Sequence, residues 1–301
     1  MSTFRVSVQR VSFRTVVIKN RVKLEYQLNY LIVRGDKTNK IHLSEINLII
    51  VDTTAVAVTA VLLVELMKRH IKIIFCDEKH HPSFECLPYY GSYQNSKRIR
   101  KQIAWKNEAK QLVWTELIYQ KIRGQHKILV EYGHEEGAKL LNDYLEELEV
   151  GDVTNREGHA AKVYFNSLFG MDFSRANKDL FINHALDYGY TILLSSVNRI
   201  IVSSGYLTQL GIWHNNEYND FNLGSDLMEP FRPLVDHIVL QLKENDKDYK
   251  NKLNNLLNYE VVIDKKTTYL SSALVIYIRS IFEALEKKNP YLIKFVESYA
   301  L

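Results

Sequence analysis

Residues 205–237, GYLTQLGIWHNNEYNDFNLGSDLMEPFRPLVDH, place a histidine and an arginine, His214 and Arg232, on either side of the carboxylates Asp226 and Glu229. His214 follows Gly211 in a Gly- and Asn-rich passage that reads as loop. Asp226 and Glu229 are three apart, so a helical turn opening at Asp226 would project both carboxylates from nearly one side. Pro230 and Pro233 stiffen that turn and discourage a regular helix before about residue 231. Such a set of oxygen and nitrogen donors on rigid backbone suits metal binding or acid–base work. A plainer reading makes Asp226 an N-cap with Glu229 closing a capping box, Arg232 a surface residue and His214 a satisfied loop histidine.

Upstream of this stretch the hydrophobic period is near 3.6. Ile99, Ile103, Leu112, Val113 and Leu117 predict one long helix; Ala138, Leu141, Leu145 and Leu148 predict a second. A third occupies 174–204 and ends at Gly205. Downstream, 237–242 and 267–285 read as helices, and only Val261-Val262-Ile263 hints at a strand. The first ninety residues behave differently. Val22, Leu24, Tyr26, Leu28, Tyr30 and Ile32 alternate with a period of two, 34–40 reads as a turn, and 41–43 and 48–51 continue the sheet. Residues 62–69 have helical character, and 71–76 read as a buried strand. The fold class expected is α+β: a β-rich domain over 1–90, a linker over 91–96 within PYYGSY and its sequel, and a larger all-α domain over 97–301.

With 301 residues the chain can bury full cores in two domains. Its 46% hydrophobic and 25% charged residues fit a soluble globular protein, and its net charge of +4 permits a polyanion partner without demanding one. The N-terminus lacks the basic start and apolar core of a secretory signal, and the apolar run 55–67 is interrupted by Glu65, so a cytoplasmic protein with no membrane partner is expected. Cys76 and Cys86 flank His80 and His81, but their spacing fits no usual zinc pattern, and Cys76 ends a strand-like run where a small buried residue belongs.

A further donor lies in 151–169, GDVTNREGHAAKVYFNSLF. Thr154 and Glu157 match a capping box, yet Glu157, Ala161, Tyr164 and Leu168 also form one stripe at i, i+4, i+7 and i+11. A carboxylate on an apolar stripe is costly unless it binds a cation or joins a buried salt bridge, and the sequence leaves both open. His159 and Lys162 fall off the stripe. Basic residues cluster at Lys97, Arg98, Arg100 and Lys101, with Lys106 and Lys110 beyond; Lys121, Arg123 and Lys127 form a second cluster. Trp105, Trp114 and Tyr119 are interleaved with them. Such faces are commonly solvated; their functional reading is contact with phosphate backbone.

The string DLMEPFRPLVD over 226–236, behind Gly211-x-x-His214, resembles the CRISPR-associated endonuclease/integrase family of spacer acquisition. Its other motifs fall in order: a Glu opening a helix at Glu157, and an N-x-x-L-x-Y-x-Y pattern at Asn183, Leu186, Tyr188 and Tyr190. The resemblance implies a β-rich first domain, a helical second domain carrying one metal site, and Glu157, His214 and Glu229 as the metal ligands, with Asp226 assisting. It implies Mg²⁺ or Mn²⁺ as the cofactor, and Lys97, Arg98, Arg100, Lys101, Lys162 and Arg232 are the DNA-contact candidates. It further implies a homodimer bridged by a dimer of the second CRISPR-associated protein. Double-stranded DNA would be bound both as spacer precursor and as CRISPR repeat. The short form suggests a type II system, with the effector nuclease and an accessory DNA-end-binding protein as further partners. Two other readings compete: a non-catalytic DNA-binding scaffold, and a metallohydrolase of small phosphoesters, which would need a compact pocket and no broad basic groove.

Overall fold

A computed structural model describes residues 14–299 except 79, 81, 90–94 and 244–246. The N-terminal segment read for a secretory signal, His81, and 91–94 of the expected linker lie outside the described residues. The chain divides into two compact units, 1–87 and 88–301.

The first unit runs β1 (Arg14–Ile18), β2 (Val22–Gln27), β3 (Tyr30–Arg34), β4 (Thr38–His42), β5 (Ile46–Val51), β6 (Val56–Val58), α1 (Ala60–Lys68), β7 (Lys72–Cys76) and β8 (Pro82–Glu85). It holds two four-stranded sheets, ordered β1-β5-β7-β8 and β4-β3-β2-β6. β5 pairs parallel with β1 and β7. Its sequence INLIIV, apolar except at Asn47, is what a strand covered on both faces requires. The alternation expected to continue from Val22 to Ile32 breaks at a tight hairpin. Leu28 and Asn29 both take positive φ, 47° and 69°, and Gln27 pairs with Tyr30 across the turn. The turn resets the phase: Leu28 is 80% exposed, and the inward residues after it are Leu31 and Val33 beside Leu24. The expected turn over 34–40 is shorter, because Thr38 already starts β4.

The second unit runs α2 (Asn95–Ile103), α3 (Asn107–Glu131), α4 (Glu135–Glu146), α5 (Arg156–Phe169), α6 (Phe181–Ser203), α7 (Asn222–Met228), α8 (Arg232–Leu240) and α9 (Tyr249–Asn254). It closes with β9 (Glu260–Ile263), β10 (Lys266–Tyr269), α10 (Leu270–Lys287) and β11 (Val296–Tyr299). It is therefore helical but not all-α: β9 is the centre of a three-stranded antiparallel sheet. The β9–β10 hairpin turns through Asp264 and Lys265, both at positive φ. The single long helix expected over Ile99–Leu117 is two helices, α2 and α3. The chain breaks at Ala104–Lys106, where Trp105 turns inward and stacks on Tyr206 and Phe282. Asn95 and Ser96, assigned to the linker, form the first turn of α2. The helix expected from 174 starts only at Phe181; the preceding loop is tied to it by Asn183, whose amide donates to the carbonyls of Ser174 and Asn177.

The helical core gathers around α3 and α6. α6 is apolar around most of its circumference, with Leu186, Leu193, Val197 and Ile201 all buried. Gly189 on α6 faces Val235 of α8, and a methyl there would meet Val235 at 2.5 Å. Among the described residues no helix is long and apolar enough to cross a membrane.

Candidate functional site

The stretch containing His214 is organised by one carboxylate. Asp226 is fully buried inside α7. It is not an N-cap; its side chain reaches across to the loop. Oδ2 accepts the backbone N–H of Ile212 at 2.6 Å and of Trp213 at 3.0 Å, and Oδ1 accepts that of His214 at 3.1 Å. Oδ1 also lies 2.6 Å from His214 Nδ1. An ionised carboxylate can only accept, so Nδ1 carries the proton and neutral His214 keeps its lone pair on Nε2. The Asp226 hydrogen bond raises the His214 pKa above its ordinary value, against the opposing effect of burial. Gly211 permits this wrapping: a Cβ there would stand 2.3 Å from the His214 carbonyl oxygen and 2.8 Å from Asp226 Oδ2. Asn222 seals the far end of the loop, its amide donating to the carbonyls of Gln209, Asn216 and Asn219. The Trp114 ring from α3 stacks on Trp213 and meets the His214 imidazole edge-on at 5.8 Å.

Glu157 and Glu229 arrive from opposite sides. The α5 N-terminus is capped by Asp152, whose carboxylate accepts the N–H groups of Arg156 at 2.7 Å and Glu157 at 3.1 Å. This overturns the Thr154–Glu157 capping box. Asn155 intervenes in the left-handed conformation, and the Glu157 side chain is left free to point inward. Glu229 follows α7 in a 3-10 turn built on Pro230, so regular helix does precede residue 231: α7 ends at Met228 and α8 begins at Arg232. The Glu229 side chain is 4% exposed, with Arg232 Nε 2.9 Å from its Oε1.

Both carboxylates converge on Lys121 of α3. Its side chain is 7% exposed, and its ammonium donates to Glu157 Oε1 and lies 2.6 Å from Glu229 Oε2. The Glu229 Oε2 atom is buried and faces the Lys121 ammonium. Burial pushes the Glu229 pKa up, but the charges of Arg232 and Lys121 outweigh it and hold the carboxyl below its ordinary value. Burial opposes the Lys121 ammonium too, and the charges of Glu229 and Glu157 prevail and raise its pKa. His214 and Glu229 lie within Coulombic reach of each other. Glu157, His214, Asp226 and Glu229 thus belong to one electrostatic cluster, with an ammonium between the two glutamates. Among the described residues, no group of three His, Cys, Asp or Glu side chains is arranged so as to hold a metal ion.

The expected DNA contacts divide. Lys97, Arg100 and Lys162 are exposed. Arg98 and Lys101 are both engaged by Glu286 of α10, at 3.1 and 2.5 Å, and Arg98 also donates to the Tyr206 hydroxyl. Arg232 is half-buried, its guanidinium set over the Tyr190 ring at 4.8 Å beside Glu229. Lys121, grouped by sequence with a surface basic cluster, is instead a buried centre of the site. The signal was present: Lys121 follows Leu117 and Ile118 at i+4 and i+3 and precedes Gln125 and Ile128, all buried on one face of α3. Like Glu157, Lys121 is a charge on an apolar stripe. Asp152 carries no comparable signal, because a loop cap is recognised only from its partners.

Residues 15–270 match the model of the family described as CRISPR associated protein Cas1. The chain belongs to the Cas1 family. A curated Cas1 relative, the CRISPR-associated endonuclease Cas1 of Neisseria meningitidis serogroup C (strain 8013), is 31% identical over 295 residues, covering 95% of this chain and 97% of the relative. Two solved structures share the Cas1 fold at 18% identity. A casposase bound to its integration product superposes with a TM-score of 0.73, over 92% of each chain. A Cas6-RT-Cas1–Cas2 complex also gives 0.73, over 97% of this chain and 37% of that one.

Proposed function

We propose that this Cas1-family protein is a divalent-metal-dependent DNA endonuclease and integrase that inserts captured DNA into a CRISPR array. The observation that carries the reading is the convergence of Glu157 and Glu229 on one buried point, with His214, held by Asp226, within Coulombic reach of Glu229. The donor chemistry fits a hard or borderline cation: two carboxylates, one of them buried, and an imidazole with its Nε2 lone pair free. Glu157, His214 and Glu229 would hold Mg²⁺ or Mn²⁺, which when bound supplies Lewis-acid stabilisation of the charge developing at the scissile phosphate. Asp226 fixes the histidine tautomer, and Arg232 keeps Glu229 ionised within the protein interior. The reaction is transesterification: the 3′-hydroxyl of the captured DNA forms a new bond to a repeat phosphorus, and the old P–O bond breaks. With water in its place the outcome is strand cleavage.

Exposed Lys97, Arg100 and Lys162 are proposed to meet phosphate backbone, with Arg98, Lys101 and Arg232 as contacts that would first release their intramolecular partners. The proposed assembly is a homodimer bridged by a Cas2 dimer, in keeping with the Cas1–Cas2 composition of the complex that shares the fold. Its DNA substrates would be the double-stranded spacer precursor and the repeat. The end-to-end similarity to the Neisseria protein supports a type II setting, with the effector nuclease and a DNA-end-binding protein as accessory partners. A second reading, a non-catalytic DNA-binding scaffold, draws on the ammonium that already occupies the point between both glutamates. Strand transfer with purified partner protein and a supercoiled array plasmid separates the two. Glu157→Ala, His214→Ala and Glu229→Ala should each abolish strand transfer while DNA binding persists. Full transfer by the His214→Ala protein overturns the assigned site, and metal-independent DNA binding with no nicking under any divalent ion favours the scaffold.

A further inference from the structure

Lys121 sits on the buried face of α3, its side chain 7% exposed. Gly124, one turn further along α3, packs so tightly against Pro233 of α8 that a Cβ there would stand 2.9 Å from the proline ring. α3 is therefore packed directly against α8 beside the site. The four-carbon stem of Lys121 is flexible and can carry its ammonium away from the carboxylates. Its ammonium occupies the point shared by Glu157 and Glu229, the two carboxylates proposed to share a cation. Arg232 already balances part of the same charge at 2.9 Å from Glu229. A divalent ion added to this arrangement would raise the positive charge beside Glu157 and Glu229 from two, on Lys121 and Arg232, to four, with Asp226 and Asp236 as the further carboxylates nearby. With Lys121 and Glu229 buried, that added positive charge disfavours keeping the ammonium where it stands.

We infer that Lys121 is a built-in counter-cation, which holds Glu157 and Glu229 together in the metal-free protein and must be displaced from between them when a divalent ion binds. The inference rests on the metal-site reading above. The ammonium moves and keeps its proton. Metal affinity is then set by competition: only molecules with Lys121 withdrawn are competent, and apparent affinity falls by that fraction. The arrangement also explains how two carboxylates, one of them buried, remain poised side by side without metal.

The test is calorimetric titration of the full-length protein with MnCl₂, alongside thermal unfolding with EDTA or Mn²⁺. Lys121→Met and Lys121→Gln remove the competitor and should bind Mn²⁺ roughly tenfold or more tightly than the parent. Lys121→Arg retains the charge and should not. In EDTA both neutral variants should melt below the parent, because two carboxylates are left facing each other, and Mn²⁺ should raise their melting temperature by more than it raises the parent's. Should Lys121→Met fail to fold in EDTA, Lys121→Gln and refolding in Mn²⁺ supply the same comparison. Glu229-dependent Mn²⁺ binding by the parent, with no tightening in either neutral variant, overturns the inference and leaves the metal-site reading intact. No Mn²⁺ binding by any variant, with Glu229→Gln indistinguishable from the parent, overturns both.

Discussion

Replacing Asp226 by Asn tests how the site is built, because the substitution keeps size and changes only charge and donor pattern. The carboxylate accepts three backbone N–H groups and faces His214 Nδ1–H, using both oxygens. An amide offers one acceptor oxygen. With that oxygen toward His214, the NH₂ confronts the N–H groups of Ile212 and Trp213. With it toward those two, the NH₂ confronts the His214 N–H and forces Nδ1 to accept. The second arrangement is the cheaper. It strands one backbone donor, costing about 1–3 kcal/mol, and two retained bonds lose their charge assistance at about 1 kcal/mol each. The expected destabilisation is therefore about 3–5 kcal/mol, measured by urea unfolding of the helical unit in EDTA. The imidazole carries an independent readout. With Nδ1 as acceptor, the proton moves to Nε2 and the lone pair proposed for metal disappears. The ¹⁵N spectrum of His214 should switch tautomer, and its pKa should fall toward the ordinary histidine value as the hydrogen bond that raises it is lost. A variant within about 0.5 kcal/mol of the parent, with Nε2 still unprotonated, would refute the claim that Asp226 organises the loop.

Asp236 lies buried on α8, accepting the Tyr190 hydroxyl at Oδ1, with the Tyr164 hydroxyl also against its carboxyl. Burial raises its pKa from 3.8 to about 6, despite the Tyr190 hydrogen bond and the nearby Arg232 charge. The native state thus binds this proton more tightly than the unfolded chain. Its contribution to stability is present below about pH 4 and lost as pH rises through about 6, a change of about 3 kcal/mol. Asp236→Asn should remove that slope, gaining about 3 kcal/mol on the parent between pH 4 and pH 8 in urea unfolding; parallel pH curves would contradict it. In the first unit, Lys72 on β7 and Glu85 on β8 form a buried ion pair, 2% and 9% exposed. Lys72→Ala should cost about 3–5 kcal/mol in the unfolding of that unit, whereas replacing both partners by Met and Leu should cost far less. Equal losses in the single and double variants would show that packing, not an uncompensated charge, sets the cost.

Several features of this protein were legible in the chain itself. The change of hydrophobic period near residue 90 separates a sheet-rich part from a helical part, because period reports which face of an element meets the core. Glu157 stood out as a charge on an apolar stripe, and Gly211-x-x-His214 with 226–236 carried the family resemblance that the Cas1 match establishes. Short strands escaped: β11, VESY, has no pattern of its own and exists because β9 pairs with it. The phase reset at Leu28-Asn29 and the break at Trp105 also depend on backbone and packing contacts that no periodicity encodes. What only the tertiary structure decided is the pairing of charges. Residues 121, 157 and 229 lie far apart in sequence, and nothing local says that an ammonium from α3 sits between carboxylates from α5 and from the turn after α7. A buried charge costs free energy according to its surroundings, and those surroundings are assembled only when three helices pack. The sequence could show that Glu157 needed a partner; the fold alone chose Lys121.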